Sequence, residues 1–232
     1  MKGYKLTDSN GRTHGETQWG EGVTHTAVGS GTEFCSPDLI HFYTDPLVAI
    51  LHNPVQANFH KPLLWEVETS APVYSDNGTK HGAKSVTTLR QLPVPIVPLA
   101  AVVRYGILCA QLVYQDKGWN RWAENWLSDI DGTAADAAYA NVNVSATAAA
   151  ARYDRAAARA AARSASASAY AASADDYEAY AYAAYAADYA GAAAAANQDI
   201  DFPGLAARAM EETAIAKATS PQARWGQGKE KK

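Results

Sequence analysis

The sequence predicts an α+β fold, in which a small mixed or antiparallel β-sheet with short helices is followed by an Ala-rich helical C-terminal region. Residues 63–69 alternate between apolar and polar side chains, with the period of a half-buried strand. Trp119, Trp122 and Trp126 recur at i, i+3 and i+7, so they share one face of a helix. In residues 133–196, 34 of 64 side chains are Ala, which loses no rotamer freedom in a helix.

Composition divides the chain into four segments. Leu, Ile, Val, Phe and Trp concentrate before about residue 130, so we expect the main core in an α+β domain over residues 1–100. A Trp-rich helical connector follows over 101–131. An Ala- and Tyr-rich helical region spans 132–219, and the Gly- and Lys-rich residues 220–232 predict a flexible tail.

Short strands dominate the predicted N-terminal domain. Strand composition occurs at 3–6, twice within 17–27, and at 39–43, 63–69, 73–74 and 84–90. Residues 44–46, Thr-Asp-Pro, are typical of a helix start, because Thr or Asp can cap the helix and Pro suits its first turn. The apolar residues 47–52 then predict a short buried helix that Asn53-Pro54 ends or kinks. Residues 107–114 have the pattern of a second buried helix.

The Ala-rich tract must pack against another surface, because each Ala buries little apolar area. Its arginines form one nearly straight stripe along a helix. If the chain reverses near residues 164–173, this stripe lies antiparallel to the later acidic residues, and tyrosines flank a close-packed seam. The alternative is one continuous helix of about 96 Å, at roughly 1.5 Å per residue, that pairs between chains. The candidates for self-association or partner contact are Arg152, Arg155, Arg159, Arg163, Tyr177, Tyr185 and Tyr189.

Charge and cysteine content narrow the function classes. The formal net charge is −4 and the pI is near 5.8, so non-specific attraction to nucleic acid or to an anionic membrane is not expected. Cys35 and Cys109 make no disulfide framework. No signal segment begins the chain, and no apolar run reaches the length of a spanning helix. These features predict a soluble cytoplasmic protein, for which we expect no cofactor.

The end of the strand before the first helix carries the best candidates for a binding site. His41, Tyr43 and Asp45 alternate, so they point to one side of the strand at a junction where pockets commonly form. The competing interpretation is a structural histidine followed by a helix cap. The ligand-binding candidates are His41, Tyr43, Asp45, Cys35, Trp19 and Glu66.

Nucleophilic catalysis and metal binding have less support in the sequence. Cys35 and His41 could act as thiol and base only with a third group that sequence cannot locate. No Cx2C or HxxxH spacing joins Cys35 to the histidines, so no metal site is predicted. The arginine stripe could bind phosphates, but exposed ion pairing explains it as well.

Several N-terminal motifs resemble an uncharacterised domain found in bacteriophage and prophage proteins, which often carries an Ala-rich C-terminus. The motifs are Gly3-Tyr4-Lys5, Gln18-Trp19, Phe34-Cys35-Ser36, Ile40-His41-Phe42-Tyr43-Thr44-Asp45-Pro46-Leu47, Leu64-Trp65-Glu66-Val67-Glu68, and Lys84 before Leu89. The resemblance covers residues 1–95 and implies a phage origin, but no catalytic residues. A weaker similarity to ADP-ribosyltransferase-like folds lacks a convincing His, Tyr and Glu set.

Three functional hypotheses follow. The first is a phage-encoded, non-enzymatic accessory binding protein of the host cytoplasm, which modulates a host system and uses its helical region for self-association or partner binding. The second is an enzyme that acts on a nucleotide or NAD-like ligand, with Glu66 as an acid or base. The third is a virion or scaffold component. The expected partners are proteins or a small nucleotide, rather than nucleic acid or membrane.

Overall fold

The computed structural model describes residues 1–128, 156–174, 176–194 and 199–219. In this part of the chain, antiparallel sheets and six α-helices form a mixed α+β structure, which confirms the predicted fold class. The predicted tail over residues 220–232 lies outside the described residues, as do Arg152 and Arg155.

Nine strands form three antiparallel sheets in the described residues. They are β1 (Lys2–Thr7), β2 (Arg12–Thr13), β3 (Thr17–Gln18), β4 (Thr24–Thr26), β5 (Ile40–Phe42), β6 (Leu63–Glu68), β7 (Val73–Asp76), β8 (Lys80–Ala83) and β9 (Ser85–Leu92). The strand order is β1-β6-β9-β4 in the four-stranded sheet and β5-β8-β7 in the three-stranded sheet, and β2 pairs with β3. Tyr4 and Tyr43 exchange backbone hydrogen bonds of 2.8 and 2.7 Å, which join β1 to the end of β5.

Strand β8 has no strand signal in its sequence. Its residues Lys-His-Gly-Ala include no β-branched side chain. The strand forms because β5 and β7 pair with it on its two sides. Gly82 lets the backbone approach the next layer, since a Cβ there would lie 2.9 Å from Leu39 Cδ1.

The helices are α1 (Pro46–Gln56), α2 (Leu99–Val113), α3 (Lys117–Leu127), α4 (Ala156–Ser173), α5 (Asp176–Ala194) and α6 (Phe202–Thr219), and a 3₁₀ turn spans His14–Glu16. Asp45 caps α1, because its Oδ1 accepts hydrogen bonds from the amides of Leu47 and Val48 at 2.8 and 3.1 Å. The helix does not end at Asn53-Pro54, since a backbone bond from Ala57 to Asn53 closes one further turn.

The described part of the Ala-rich tract forms a helical hairpin. Helices α4 and α5 run antiparallel, and the reversal falls between Ser173 and Asp176, at the end of the predicted range. Ser164 and Ser168 lie inside α4, and their hydroxyls bond to backbone carbonyls. Ser164 Oγ donates to the Ala186 carbonyl at 2.6 Å, and Ser168 Oγ donates to that of Ala165 at 2.8 Å.

Small side chains, not paired charges, form the described seam of this hairpin. Its inner face consists of fully buried alanines from both helices. Arg159 is exposed, and the Arg163 guanidinium lies 5.7 Å from the ring centre of Tyr189. Asp188, an expected partner of the arginine stripe, instead faces a histidine of α1.

Helix α2 is the centre of the main core. Residues 101–110 are all buried, and α4, α5 and α6 pack around this helix. The hairpin approaches α2 closely at Gly106, where a Cβ would lie 3.1 Å from Ala183 Cα. On α3, Trp119 also reaches the hairpin, because its Nε1 donates to the Ala165 carbonyl at 3.2 Å. Leu6 of β1 and Leu64 of β6 share one hydrophobic cluster with the hairpin, while a second cluster around Phe42 and Val67 lies within the sheets.

A buried polar chain connects α1, α2 and the hairpin. The fully buried His52 has Nδ1 3.0 Å from Asp188 Oδ1 and Nε2 2.8 Å from the Tyr105 hydroxyl. Because a carboxylate only accepts, Nδ1 donates to Asp188, and Nε2 shares a hydrogen bond with the Tyr105 hydroxyl. Gln56 Nε2 donates to the other oxygen of Asp188 at 2.9 Å. Both carboxylate oxygens are therefore used to dock the hairpin.

The Asp188→Asn variant tests this docking. The amide keeps the size of the side chain but places an NH2 group against His52 or Gln56, both of which donate to the carboxylate. We expect the free energy of unfolding to fall by about 1–2 kcal/mol, the usual cost of one unsatisfied buried donor. The matched control is Glu178→Gln, an exposed position on the same helix, which should change stability by less than about 0.5 kcal/mol. Equal unfolding midpoints in urea for the two variants would contradict the docking role.

Candidate functional site

A cavity of about 720 Å³ opens between the sheets and the C-terminal end of α1. Strands β1, β5 and β8 contribute one wall, and the residues after β4 contribute another. Its volume falls within the range of small-molecule sites, roughly 300–1,000 Å³. We call it the basic cavity, because its titratable lining includes Lys5, His14, His25, His41 and Lys80, while none of the described residues that line it is Asp or Glu.

Lys5 places a buried ammonium group at the wall of the basic cavity. The side chain lies on β1, and the residue is 7% exposed. Its Nζ donates to the His41 carbonyl at 2.9 Å and lies 4.7 Å from the centre of the Trp19 ring. None of the ion pairs in the described part of the chain includes Lys5. Burial lowers the pKa of Lys5 from 10.5 to about 8.

Lys80 brings a second buried ammonium group to the same cavity. The residue is 4% exposed, and its Nζ lies 3.4 Å from Asp76 Oδ2. The same atom donates to Gln56 Oε1 at 2.6 Å and contacts Cys35 Sγ at 3.3 Å. Lys80 is therefore held in place by three side chains, whereas Lys5 has one backbone carbonyl and an aromatic face.

His41 is neutral and carries a polar atom with no protein partner in the described residues. Its Nε2 is buried without a hydrogen bond, and its ring stacks on Phe34 with centres 5.5 Å apart. Burial, followed by the positive charges of Lys80 and Lys5, lowers the pKa of His41 to about 4. The imidazole is thus available as a proton acceptor or a hydrogen-bonding group at neutral pH.

Aromatic rings line the basic cavity beside the cationic groups. His14 stacks on Phe59 with centres 5.4 Å apart, and His25 meets the Trp19 ring edge-on at 4.6 Å. The Trp19 Nε1 donates to Thr13 Oγ1 at 3.0 Å, which fixes the indole. These rings offer flat apolar surface to a ligand that also carries negative charge.

One wall of the cavity is a loop that Lys84 holds in place. Lys84 Nζ donates to the backbone carbonyls of Gly29 and Asp38 at 3.0 and 2.8 Å, and also to that of Gly31. The loop carries Cys35, whose φ of +60° is in the left-handed region. The geometry of the loop therefore places the exposed thiol next to Lys80.

The structure brings four of the six predicted ligand-binding residues together and separates two. Trp19, Cys35, His41 and Tyr43 all line the basic cavity. The Asp45 carboxylate caps α1, as the competing interpretation has it.

Glu66 lies outside the cavity, where it accepts from Lys2 and Arg90 at 3.1 and 2.7 Å. Those two side chains lower the pKa of its carboxyl, so Glu66 offers no acid or base to this site. Of the candidates in the helical region, Tyr185 and Tyr189 stack on each other with centres 6.2 Å apart. Tyr177 lies in α5, and its side chain lies outside the described residues.

The comparisons with known proteins return no match. No family model matches the chain, and neither a curated protein nor a solved structure matches it. The resemblance to a phage domain therefore stays a prediction. Among the described residues, no helix combines the length and apolar character needed to cross a membrane.

Proposed function

We propose that this chain is a non-enzymatic binding protein whose basic cavity takes a small organic anion, up to the size of a nucleotide. One observation carries the proposal: two lysines, each more than nine-tenths buried, line a cavity whose described lining contains no carboxylate. Burying an ammonium group without a counter-charge is costly. Lys80 has Asp76 beside it, but Lys5 has no carboxylate partner among the described residues, so an anionic ligand would supply the missing charge. The phage origin, the host target and a self-associating helical region stay predictions.

The surroundings of Lys5 are stronger support for an anionic ligand than those of Lys80. An ammonium group has three donors, and the described contacts of Lys5 use one of them. A phosphate or carboxylate beside Nζ would accept from the others and would return the pKa of Lys5 towards its ordinary value. The pKa of His41, which burial and then the charges of Lys80 and Lys5 lower, would also rise when an anion binds.

The aromatic lining supports a ligand that has a ring as well as a charge. Stacking of a ring against aromatic side chains stabilises it by roughly 1–3 kcal/mol in nucleic-acid sites. The exposed His14 ring and the half-buried Phe59 ring are available for such contacts, whereas the buried Trp19 ring is already covered by Lys5 Nζ. A nucleoside monophosphate combines both features, so it is the first ligand to test.

Thermal melting with matched ligands tests the proposed function. The four nucleoside monophosphates, adenosine, inorganic phosphate and citrate are added in turn to the full-length chain. A ligand at 100-fold its Kd should stabilise the protein by about 2.7 kcal/mol, or roughly 5–10 °C for a chain of this size. We expect at least one anion to raise the melting temperature, and AMP to exceed adenosine.

Two lysine variants test whether the ligand-induced rise in melting temperature comes from the basic cavity. Lys80→Met should reduce the ligand-induced shift, because it removes a charge from the cavity wall. Lys117→Met removes an exposed lysine at the start of α3 and should leave the shift unchanged. The absence of any shift with every anion, or equal shifts in the two variants, would contradict the proposal.

A further inference from the structure

Lys5 and Lys80, the two lysines that line the basic cavity, have different surroundings. Lys80 is bonded to Gln56 and Cys35 and lies beside the Asp76 carboxylate. Among the described residues, the Lys5 amine makes a single hydrogen bond, to a backbone carbonyl, and it packs on the Trp19 ring. It also lines the cavity, so a ligand there can reach it.

We propose that Lys5 is a Schiff-base lysine, whose amine condenses reversibly with a small aldehyde that bears an anionic group. This inference rests on the proposed function, because the anionic group is what draws the aldehyde into the basic cavity. Lys80, with Asp76 at its side, supplies the positive charge that remains to hold the anion after Lys5 has reacted.

The uncharged amine is the reactive form, and burial favours it. With a pKa of about 8, roughly a tenth of Lys5 is neutral at pH 7, about 200-fold more than an ordinary lysine. Desolvation of a lysine is a known means of activating an amine. The titratable groups that share the cavity with Lys5 are His14, His25, Cys35, His41, Tyr43 and Lys80.

The reaction balances with the groups that are present. The nitrogen lone pair of Lys5 adds to the carbonyl carbon, and the nitrogen loses a proton while the oxygen gains one, which yields a carbinolamine. Loss of water from the carbinolamine leaves a C=N bond and needs no oxidant or reductant. Water carries the proton between the two steps.

Reductive trapping tests the inference. The full-length chain is incubated with pyridoxal 5′-phosphate and cyanoborohydride, which adds hydride to the imine carbon and leaves a stable secondary amine. 5′-Deoxypyridoxal, which lacks the phosphate and cannot close an internal hemiacetal, is the matched reagent. We expect peptide mapping to place the adduct on Lys5, with at least tenfold more product from the phosphate ester. Adducts spread over exposed lysines such as Lys2 and Lys117, or equal yields from the two reagents, would overturn the proposal.

A pH profile and a second variant separate this inference from the proposed function. The trapping rate at Lys5 should level off above about pH 8, whereas labelling of exposed lysines should go on rising to about pH 10. Lys5→Arg cannot form an imine, so it should lose the adduct, whereas Lys117→Arg, a change at an exposed lysine, should keep the adduct at Lys5. AMP binding by the wild-type chain without any Lys5 adduct would refute the imine alone, and absence of both would refute both proposals.

Discussion

The Lys5→Met variant is expected to unfold at a higher temperature than the wild-type chain at pH 7, and to bind small anions at least tenfold more weakly. Burial lowers the pKa of Lys5 from 10.5 to about 8, so the unfolded chain holds the proton more tightly than the folded one. At about 1.4 kcal/mol per pKa unit, the buried charge costs on the order of 3 kcal/mol below pH 8. Losing the bond to the His41 carbonyl offsets part of the gain.

The pH dependence of stability checks whether Lys5→Met is stabilising for the stated reason. As the pH rises from 8 towards 10.5, folded Lys5 becomes neutral before the unfolded lysine does, so wild-type stability rises. The advantage of Lys5→Met should therefore be about 1–2 kcal/mol at pH 7 and should vanish near pH 10. The exposed Lys117→Met serves as the control and should show no such trend. A Lys5→Met chain that is less stable than wild type at pH 7 would contradict the account of this residue.

Gly106→Val is expected to lower the free energy of unfolding by about 3 kcal/mol, at the upper end of the usual cost of overpacking a core. A Cβ at position 106 would meet Ala183 Cα at 3.1 Å and Ala183 Cβ at 3.2 Å. Both contacts are with a helix that cannot yield locally, so α2 and α5 must move apart. Circular dichroism in a urea titration measures the change.

The control for Gly106→Val is the same substitution at Gly118. Gly118 is an exposed glycine in α3, and a Cβ there would meet only the Asp116 side chain, at 3.3 Å. Gly118→Val should therefore cost much less than Gly106→Val. A comparable loss at the two positions would mean that the hairpin does not pack on α2 as closely as the structure has it.

The parts of the fold that depend on local pattern could be predicted from the sequence. The alternation in β6, the Asp45 cap of α1 and the helical Ala tract each follow from a few neighbouring residues. Strand β8 could not, because Lys80 to Ala83 become a strand only between β5 and β7. The hairpin reversal could be placed only roughly, because the Ala-rich composition continues across it, and contacts such as that of Ser164 with the Ala186 carbonyl form only between the two packed helices.

Only part of the candidate site could be predicted from the sequence, because the rest also depends on tertiary packing. Trp19, Cys35, His41 and Tyr43 stand out by residue type, and the structure brings them to one cavity. A lysine in a strand is ordinarily taken as solvent-facing, but both faces of β1 are covered near Lys5. Its burial, and that of Lys80, follows from the packing of β1 and β8 rather than from their own residues. The absence of nearby carboxylates in the described lining is likewise visible only in three dimensions.

Measuring the pKa of Lys5 by NMR, with and without AMP, tests the central claim most directly. The claim is that the basic cavity holds a buried ammonium group beside which an anionic ligand binds. We predict a pKa near 8 in the free protein and a clear rise when AMP binds, because the phosphate stabilises the charged form. A pKa near 10.5 in the free protein, or one that AMP leaves unchanged, would contradict the account.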